Sequence, residues 1–320
     1  MSGILKLIIS ENDFRHYSRL DQCLQGHFTD LSRTQIKDFF LEGFISSNTH
    51  ALQLSKLPPI NTEVNIQLPL PRDYHLKGED IPLDIVFEDQ HLMIINKPAG
   101  MVVHPAAGNW SGTLVHAILH HYPEVLHIGQ EKRPGIVHRL DKGTSGLLVV
   151  AKNHKTLQGL TETFKKHNIK RKYMAITIDL GFKNNSGTLQ SLIARSPQNR
   201  KKMSTKVNVG KNAITHYQII HRAHKLALFE LNLETGRTHQ IRVHLAELLK
   251  SPILNDETYG NPPKQKLQLN AEINKIIGDY SYPFLHATKL GFQHPITNCE
   301  IECNSPPPEP FSLLLPYLSQ

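Results

Sequence analysis

The chain has 320 residues, 39% of them hydrophobic, which is enough for one large folded domain and a small one, and its formal net charge of +8 points to a polyanionic partner. Its three cysteines, Cys23, Cys299 and Cys303, are odd in number and widely split, which excludes a disulfide framework and a four-ligand zinc site and suggests reduced, buried thiols. No run approaches the length of a membrane helix, and the short apolar start, broken by Lys6, lacks a signal-peptide core, so a cytoplasmic protein with no membrane partner is expected.

In the N-terminal part, Leu20, Cys23, Leu24 and His27 keep helical spacing. Ser32 with Gln35 three residues on reads as a capping box ahead of a second helix carrying Ile36, Phe39 and Phe40, which Gly43 would stop. Phe44 to Ser46 and the alternating Val64 to Leu68 predict short strands around the turn-rich Pro58-Pro59-Ile60-Asn61. Arg33 and Lys37 lie four apart on one helix face and, with Arg15 and Arg19, offer a phosphate-binding patch, although a solvated face has the same spacing. This layout resembles the alpha-L RNA-binding motif, a helix pair and hairpin, except that Ser47 to Pro59 lacks the glycine and lysine usual in its turn. The prolines at 69, 71 and 82, amid mixed charges, mark a connecting stretch. The expected division is therefore 1–72 for the small domain, 73–82 for the linker and 83–320 for the catalytic domain.

His91 to Asn96 predicts a strand that ends at Lys97-Pro98-Ala99-Gly100, and Thr113 opens a helix with Leu114, Ala117, Ile118 and His121 in step, stopped at Tyr122-Pro123. His116, His120 and His121 on that helix have no Glu or Cys in a metal-site spacing, so they read as surface or capping histidines and no metal is expected. The stretch Gly135 to Lys152 places one carboxylate, Asp141, in a polar loop between two apolar runs, Ile136-Val137 and Leu147 to Ala151, both read as buried strands. His138, Arg139 and Lys142 surround the acid. A reactive group on a rigid floor and a salt-bridged hairpin turn both fit this pattern. Asn153 caps the next helix, with Leu157, Leu160 and Phe164 facing a core and a basic end running from Lys165 to Lys172. In the strand predicted from Tyr173 to Leu180, Tyr173 points away from the Met174, Ile176 and Ile178 row, toward a cleft. A second basic segment, Arg195 to Lys206, contains Arg200, Lys201 and Lys202 and no acid, as suits a loop following a phosphate backbone. Leu226 to Leu233 predicts a strand, and beyond the Glu234 to Arg237 turn, Ile241, Leu245, Leu248 and Leu249 form one helix face, with Arg242 at its edge able to reach inward. Strands around Leu285 to Phe292 and Cys299 to Cys303 follow, and a proline-rich stretch, Ser305 to Pro310, closes the domain.

Asn96 to Gly100 with Val103-His104-Pro105, His138 to Gly146, and Thr235 to His244 together resemble the pseudouridine synthases of the RluA type, near the RluD-like branch that modifies large-subunit ribosomal RNA. Lys170 to Ala175 and Arg200 to Met203 are similar to further segments of that family, and the likeness covers almost the whole chain. The resemblance implies an α+β fold, with a mixed, mostly antiparallel central sheet and flanking helices. It implies an isomerase that turns uridine into pseudouridine without a cofactor. Asp141 matches the catalytic aspartate, Arg242 the arginine that pairs with it, Tyr173 the tyrosine that stacks on the base, and Arg139 the residue that fills the gap left by the extruded nucleotide. Arg237 is the rival for the carboxylate partner, and for His138 a structural role is preferred to that of a general base. Arg33, Lys37, Lys172, Arg200, Lys201 and Lys202 are the expected further RNA contacts. The partner would be ribosomal RNA, alternatively transfer RNA, and the protein a monomer. Two other classes remain open on the residues alone: a non-catalytic RNA-binding ribosome-assembly factor, and a hydrolase using Asp141, which lacks a recognisable second carboxylate.

Overall fold

A computed structural model describes residues 4–29, 31, 33–67, 76–106, 108–130, 133–179, 181, 184–199 and 201–319. The chain separates into two compact units, 1–75 and 76–320.

In the smaller unit, β1 (Ile4–Ile8) pairs antiparallel with β3 (Glu63–Gln67), which in turn pairs with β2 (Ile45–Ser46). Between them in sequence come α1 (Glu11–His16), α2 (Leu20–His27) and α3 (Arg33–Leu41). Leu20, Cys23, Leu24, Ile36, Val64 and Ile66 form its core. Neither β1 nor α1 is apparent from pattern alone. β1 finds its partner some sixty residues later, and α1 is capped by a box whose third residue is Asp13 rather than Glu or Gln: Ser10 N–H donates to Asp13 and Asp13 N–H to Ser10 Oγ. Gly43, at φ +81°, follows α3 in the left-handed conformation expected of a stop. The predicted Ser32–Gln35 box lies outside the described residues.

The larger unit is built on a 10-stranded sheet. Its elements in chain order are β4 (Ile85–Glu88), β5 (Leu92–Lys97), α4 (Leu114–His121), a small hairpin of β6 (Gly129–Gln130) and β7 (Arg133–Pro134), β8 (Ser145–Ala151), α5 (His154–Lys165), β9 (Ile169–Ile178), β10 (Ser186–Arg195), β11 (Met203–Ser204), β12 (Lys211–Ala223), β13 (Leu226–Leu233), α6 (Gln240–Val243), α7 (Pro262–Lys266), α8 (Ala271–Ile277), β14 (Leu285–Gln293), β15 (Glu300–Asn304) and α9 (Phe311–Leu318). The strand order is β11-β10-β12-β13-β9-β14-β8-β5-β4, with β15 also on β14, and β14–β8 is the parallel pair in an otherwise antiparallel sheet. This is the mixed, mostly antiparallel sheet with flanking helices implied by the resemblance. Leu76 sits in the core of this unit, and Glu79 N–H donates to the His116 carbonyl.

β5 and β8 are continuous apolar runs because both of their faces are covered. Met93, Ile95, Leu148 and Val150 pack with α4, whereas Leu92, Ile94, Leu147 and Val149 pack with Leu160 of α5. Burying each such side chain is worth about 1.5–3 kcal/mol, which makes this pair of strands the rigid floor beneath the preceding loop. Both α4 and α5 begin where expected. His116 Nδ1 is engaged by the Thr113 backbone N–H and lies 2.7 Å from the Thr113 hydroxyl, a capping role for that histidine, and Asn153 Oδ1 accepts from Thr156 N–H.

Several local readings change. Ile136-Val137 is not a strand; Ile136 makes one isolated bridge to Val150. The basic run at the end of α5 is split, since the helix stops at Lys165 and Lys170 to Lys172 already belong to β9. After α6 the backbone widens into a π-helical turn, His244–Leu248, which leaves Leu248 38% exposed instead of on the buried face. Of the three cysteines only Cys23 is buried; Cys299 is exposed and Cys303 half-buried. No helix among the described residues is long and apolar enough to cross a membrane.

Candidate active site

The loop carrying Asp141 is a tight turn held from both ends. The Asp141 carbonyl accepts from Thr144 N–H at 3.0 Å and the Lys142 carbonyl from Gly100 N–H at 2.8 Å, so the turn after β5 docks on the turn before β8. That first turn is clamped by Lys97, a fully buried lysine whose Nζ donates to the Pro98 and Met101 carbonyls at 2.8 and 3.0 Å. Burial pushes its amine down to about 7, opposed by the charge of Asp141. His138 Nε2 accepts from Val149 N–H at 3.0 Å, and its ring stacks on Phe164. Burial, and then the charge of Arg171, hold it neutral with a pKa of about 3. Its acceptor nitrogen is already occupied, so it braces the loop and is not available as a base. Gly146 closes the turn at φ +113°, where a Cβ would lie 2.3 Å from the Ala287 carbonyl oxygen; only glycine lets β8 and β14 meet in parallel there.

A second loop, between β13 and α6, delivers the arginine. Buried Gln240 accepts from Thr235 Oγ1 and Arg237 N–H and donates to the Ile214 carbonyl and Thr215 Oγ1, which pins the turn onto β12. Arg242, near the start of α6, is thereby aimed inward and is 8% exposed. It donates to Asp141 Oδ2 from Nη1 at 3.3 Å, and grips Asp256 in a bidentate pair, Nε–Oδ2 at 2.7 Å and Nη2–Oδ1 at 2.8 Å. Thr258 Oγ1 takes a further bond from Nη2 at 2.9 Å. Burial opposes the guanidinium charge, but Asp256 and then Asp141 outweigh it and raise the pKa. The rival, Arg237, turns away and donates to the Asn212 carbonyl.

The strand order β13-β9-β14-β8 brings these loops over Tyr173, in the middle of the sheet. Asp141, Tyr173, Arg139 and Arg242 line one cavity of about 540 Å³, a size suited to a small ligand or an extruded nucleotide. Arg139, Asp141 and Arg242 also border an adjoining cavity of about 520 Å³. Tyr173 is 6% exposed, and burial raises its hydroxyl pKa. Arg133, Arg139, Lys165, Arg171, Arg242 and the backbone-bound Arg237 line the first cavity together with Asp141 and Glu234, so it attracts a polyanion while offering the Asp141 carboxylate at depth. With Arg242 on Oδ2, and no hydrogen bond to Oδ1 among the described residues, that carboxylate is positioned to act as a nucleophile or as a proton acceptor.

The remaining predicted RNA contacts lie elsewhere. Arg33 is on α3 of the smaller unit, where it donates to Asp21 at 2.8 Å alongside Arg19, and Lys37 is exposed on the same helix. Lys172 pairs with Glu230 across β9 and β13 at 2.8 Å. Lys201 is exposed beyond β10, Lys202 lies with its Nζ 5.9 Å from the Tyr259 ring centre, and Arg200 falls outside the described residues. Sequence reasoning missed Asp256, Lys97 and Arg171. Asp256 stands in what reads as an ordinary loop, and Arg171 in what reads as a solvated charge run, yet Arg171 is 8% exposed and donates to the Leu233 and Glu234 carbonyls. The four apolar residues Leu92 to Ile95, ending two positions ahead of Lys97, were the available hint that its strand runs inward.

The family model for RNA pseudouridylate synthases matches residues 91–247, a span that includes Asp141, Tyr173 and Arg242. The chain is 43% identical over 304 residues to the ribosomal large subunit pseudouridine synthase D of Zymomonas mobilis, covering 94% of this chain and 93% of that one. It is 39% identical over 306 residues to the protein of the same name from Escherichia coli (strain K12), covering 95% and 91%. Among solved structures, human RNA Pseudouridylate Synthase Domain Containing 4 is similar with a TM-score of 0.56 and 28% identity, over 73% of this chain and 92% of that chain.

Proposed function

This chain belongs to the RNA pseudouridylate synthase family, and we propose that it isomerises specific uridines of large-subunit ribosomal RNA, with Asp141 as the catalytic carboxylate. The substrate assignment rests on the relatives that align over nearly their whole length. The observation that carries the site assignment is the Asp141–Arg242 pair at the depth of a cation-lined cavity. The reaction cleaves the bond from base nitrogen 1 to C1′ of the sugar, turns the base, and rejoins it through carbon 5. Carbon 5 loses a proton and nitrogen 1 gains one, so there is no net redox change. A carboxylate can promote this either by attacking the nucleotide or by removing a sugar proton, and both routes need it fixed and shielded from water. Arg242 fixes it. Tyr173, buried beside it, is assigned to stack on the base and to assist proton removal from carbon 5. Arg139, exposed at the rim of both cavities, is assigned to fill the gap left by the extruded nucleotide, whose unstacking costs a few kcal/mol.

The smaller unit is assigned as an RNA-binding module of the alpha-L type, and Lys172, Arg200, Lys201 and Lys202 as phosphate contacts on the larger one. Arg19 and Arg33 are already paired with Asp21, so a phosphate must compete with that carboxylate for them. A cytoplasmic site of action follows from this substrate.

Asp141→Asn tests the assignment. It keeps the shape of the side chain, so RNA affinity should stay within a few-fold while pseudouridine, mapped chemically in a large-subunit ribosomal RNA transcript, no longer forms. Product at the wild-type rate would remove Asp141 from catalysis and leave the assembly-factor reading to explain the basic surface.

A further inference from the structure

Arg242 is not the only residue on the Oδ2 side of Asp141. His239 Nε2 lies 4.0 Å from the same oxygen, and its Nδ1 lies 2.9 Å from the Tyr259 hydroxyl. That hydroxyl already accepts from Met203 N–H at 2.7 Å. A phenol has one proton to give, and with its oxygen taking the Met203 N–H, the proton's acceptor among the described residues is His239 Nδ1. The opposite tautomer is worse at both ends: Nδ1–H could share the Tyr259 oxygen with Met203 N–H but would leave the phenol proton without an acceptor among the described residues, and a bare Nε2 lone pair would face a carboxylate. Burial works against a charge on this ring and lowers its pKa, outweighing the pull of Asp141.

The backbone agrees with a special placement. His239 stands at the N-cap position of α6, without a side-chain cap bond, at φ +56°, ψ +19°, in the left-handed region that is uncommon outside glycine and that asparagine, aspartate and histidine tolerate best. Tyr259 is fixed in turn, with the Arg242 guanidinium 5.3 Å from its ring centre. The histidine therefore sits on a rigid support and presents one nitrogen to the carboxylate.

We propose that His239 is a positioning residue for Asp141: a neutral imidazole, locked by Tyr259 as the Nε2–H tautomer, that joins Arg242 Nη1 on Oδ2 and leaves Oδ1 to react with the nucleotide. At 4.0 Å the contact is longer than a hydrogen bond, and it closes by about 1 Å when substrate fills the cavity, as catalytic hydrogen bonds commonly do. The proposal rests on Asp141 being the catalytic carboxylate.

Two variants test it in the full-length protein. Tyr259→Phe removes only the hydroxyl, and His239→Asn keeps a residue that tolerates the left-handed backbone. Long-range ¹⁵N spectra of the imidazoles, with His239 identified by its loss in His239→Asn, should show the Nε2–H tautomer in the wild type and a mixture in Tyr259→Phe. On a large-subunit ribosomal RNA transcript, both variants should lower kcat by at least about tenfold with KM within about twofold, as expected for losing one preorganised donor. An Nδ1–H tautomer in the wild type overturns the proposal, as does a smaller fall in kcat or an effect confined to KM. The tautomer measurement needs no turnover, so it decides whether Tyr259 locks the His239 ring even if Asp141→Asn proves active and the catalytic reading fails.

Discussion

Arg242 spends most of its hydrogen-bonding capacity on Asp256 and Thr258, and only one longer bond, 3.3 Å, on Asp141. The guanidinium is therefore held in place whether or not Asp141 carries a charge, which is why Asp141→Asn should leave the pocket intact. Removing Asp256 would be different in kind, because it strands a buried cation, a change that costs about 3–5 kcal/mol. Lys97 offers a pH test at the same scale. Its amine is pushed from 10.5 to about 7 by burial, so between those values the unfolded chain binds a proton that the folded chain does not. Stability then rises with pH across that window, while below about 7 the full penalty of burying the cation is present. The stability of the wild type relative to Lys97→Met, from urea unfolding at each pH, should climb from about pH 7 to about pH 10. A difference that stays flat would mean that Lys97 keeps its ordinary proton affinity.

At the scale of elements, the site depends on where strands begin. β8 starts at the parallel contact with β14, where Gly146 faces the Ala287 backbone, and a side chain there meets both a forbidden φ and a 2.3 Å clash. Gly146→Ala should therefore cost about 2 kcal/mol or more, read as a lower Tm, and should slow turnover by shifting the Asp141 turn; an unchanged Tm would contradict the packing described. The same scale explains which elements pattern alone reveals. α4 and α5 carry their caps and apolar faces within a dozen residues, so local rules suffice. Ile136-Val137 looks like β8 in composition, but one bridge to Val150 is all the pairing available to it. A strand needs a neighbour along its length, and composition does not report one.

For the whole molecule, the net charge of +8 and the cations around the first cavity predict binding dominated by phosphate contacts. Affinity for a ribosomal RNA fragment should fall by at least about tenfold between roughly 50 and 200 mM salt, through counterion release. A change below about threefold would argue against a phosphate-tracking surface. The sequence by itself determined the apolar strands β5, β8 and β13, the caps of α4 and α5, the loop that carries Asp141, and Arg242 as an arginine able to reach inward near a helix start. All of these are local: periodicity, turn chemistry and charge within a few residues. Only the tertiary structure decided that Asp256 anchors Arg242, that Lys97 clamps the neighbouring turn, that Arg171 is buried rather than solvated, and that Tyr259 and His239 stand behind the carboxylate. A lone polar residue carries no mark of its partner. Its role is set by the burial that raises the cost of leaving it unpaired, and by a distant segment that the sheet brings within hydrogen-bonding reach.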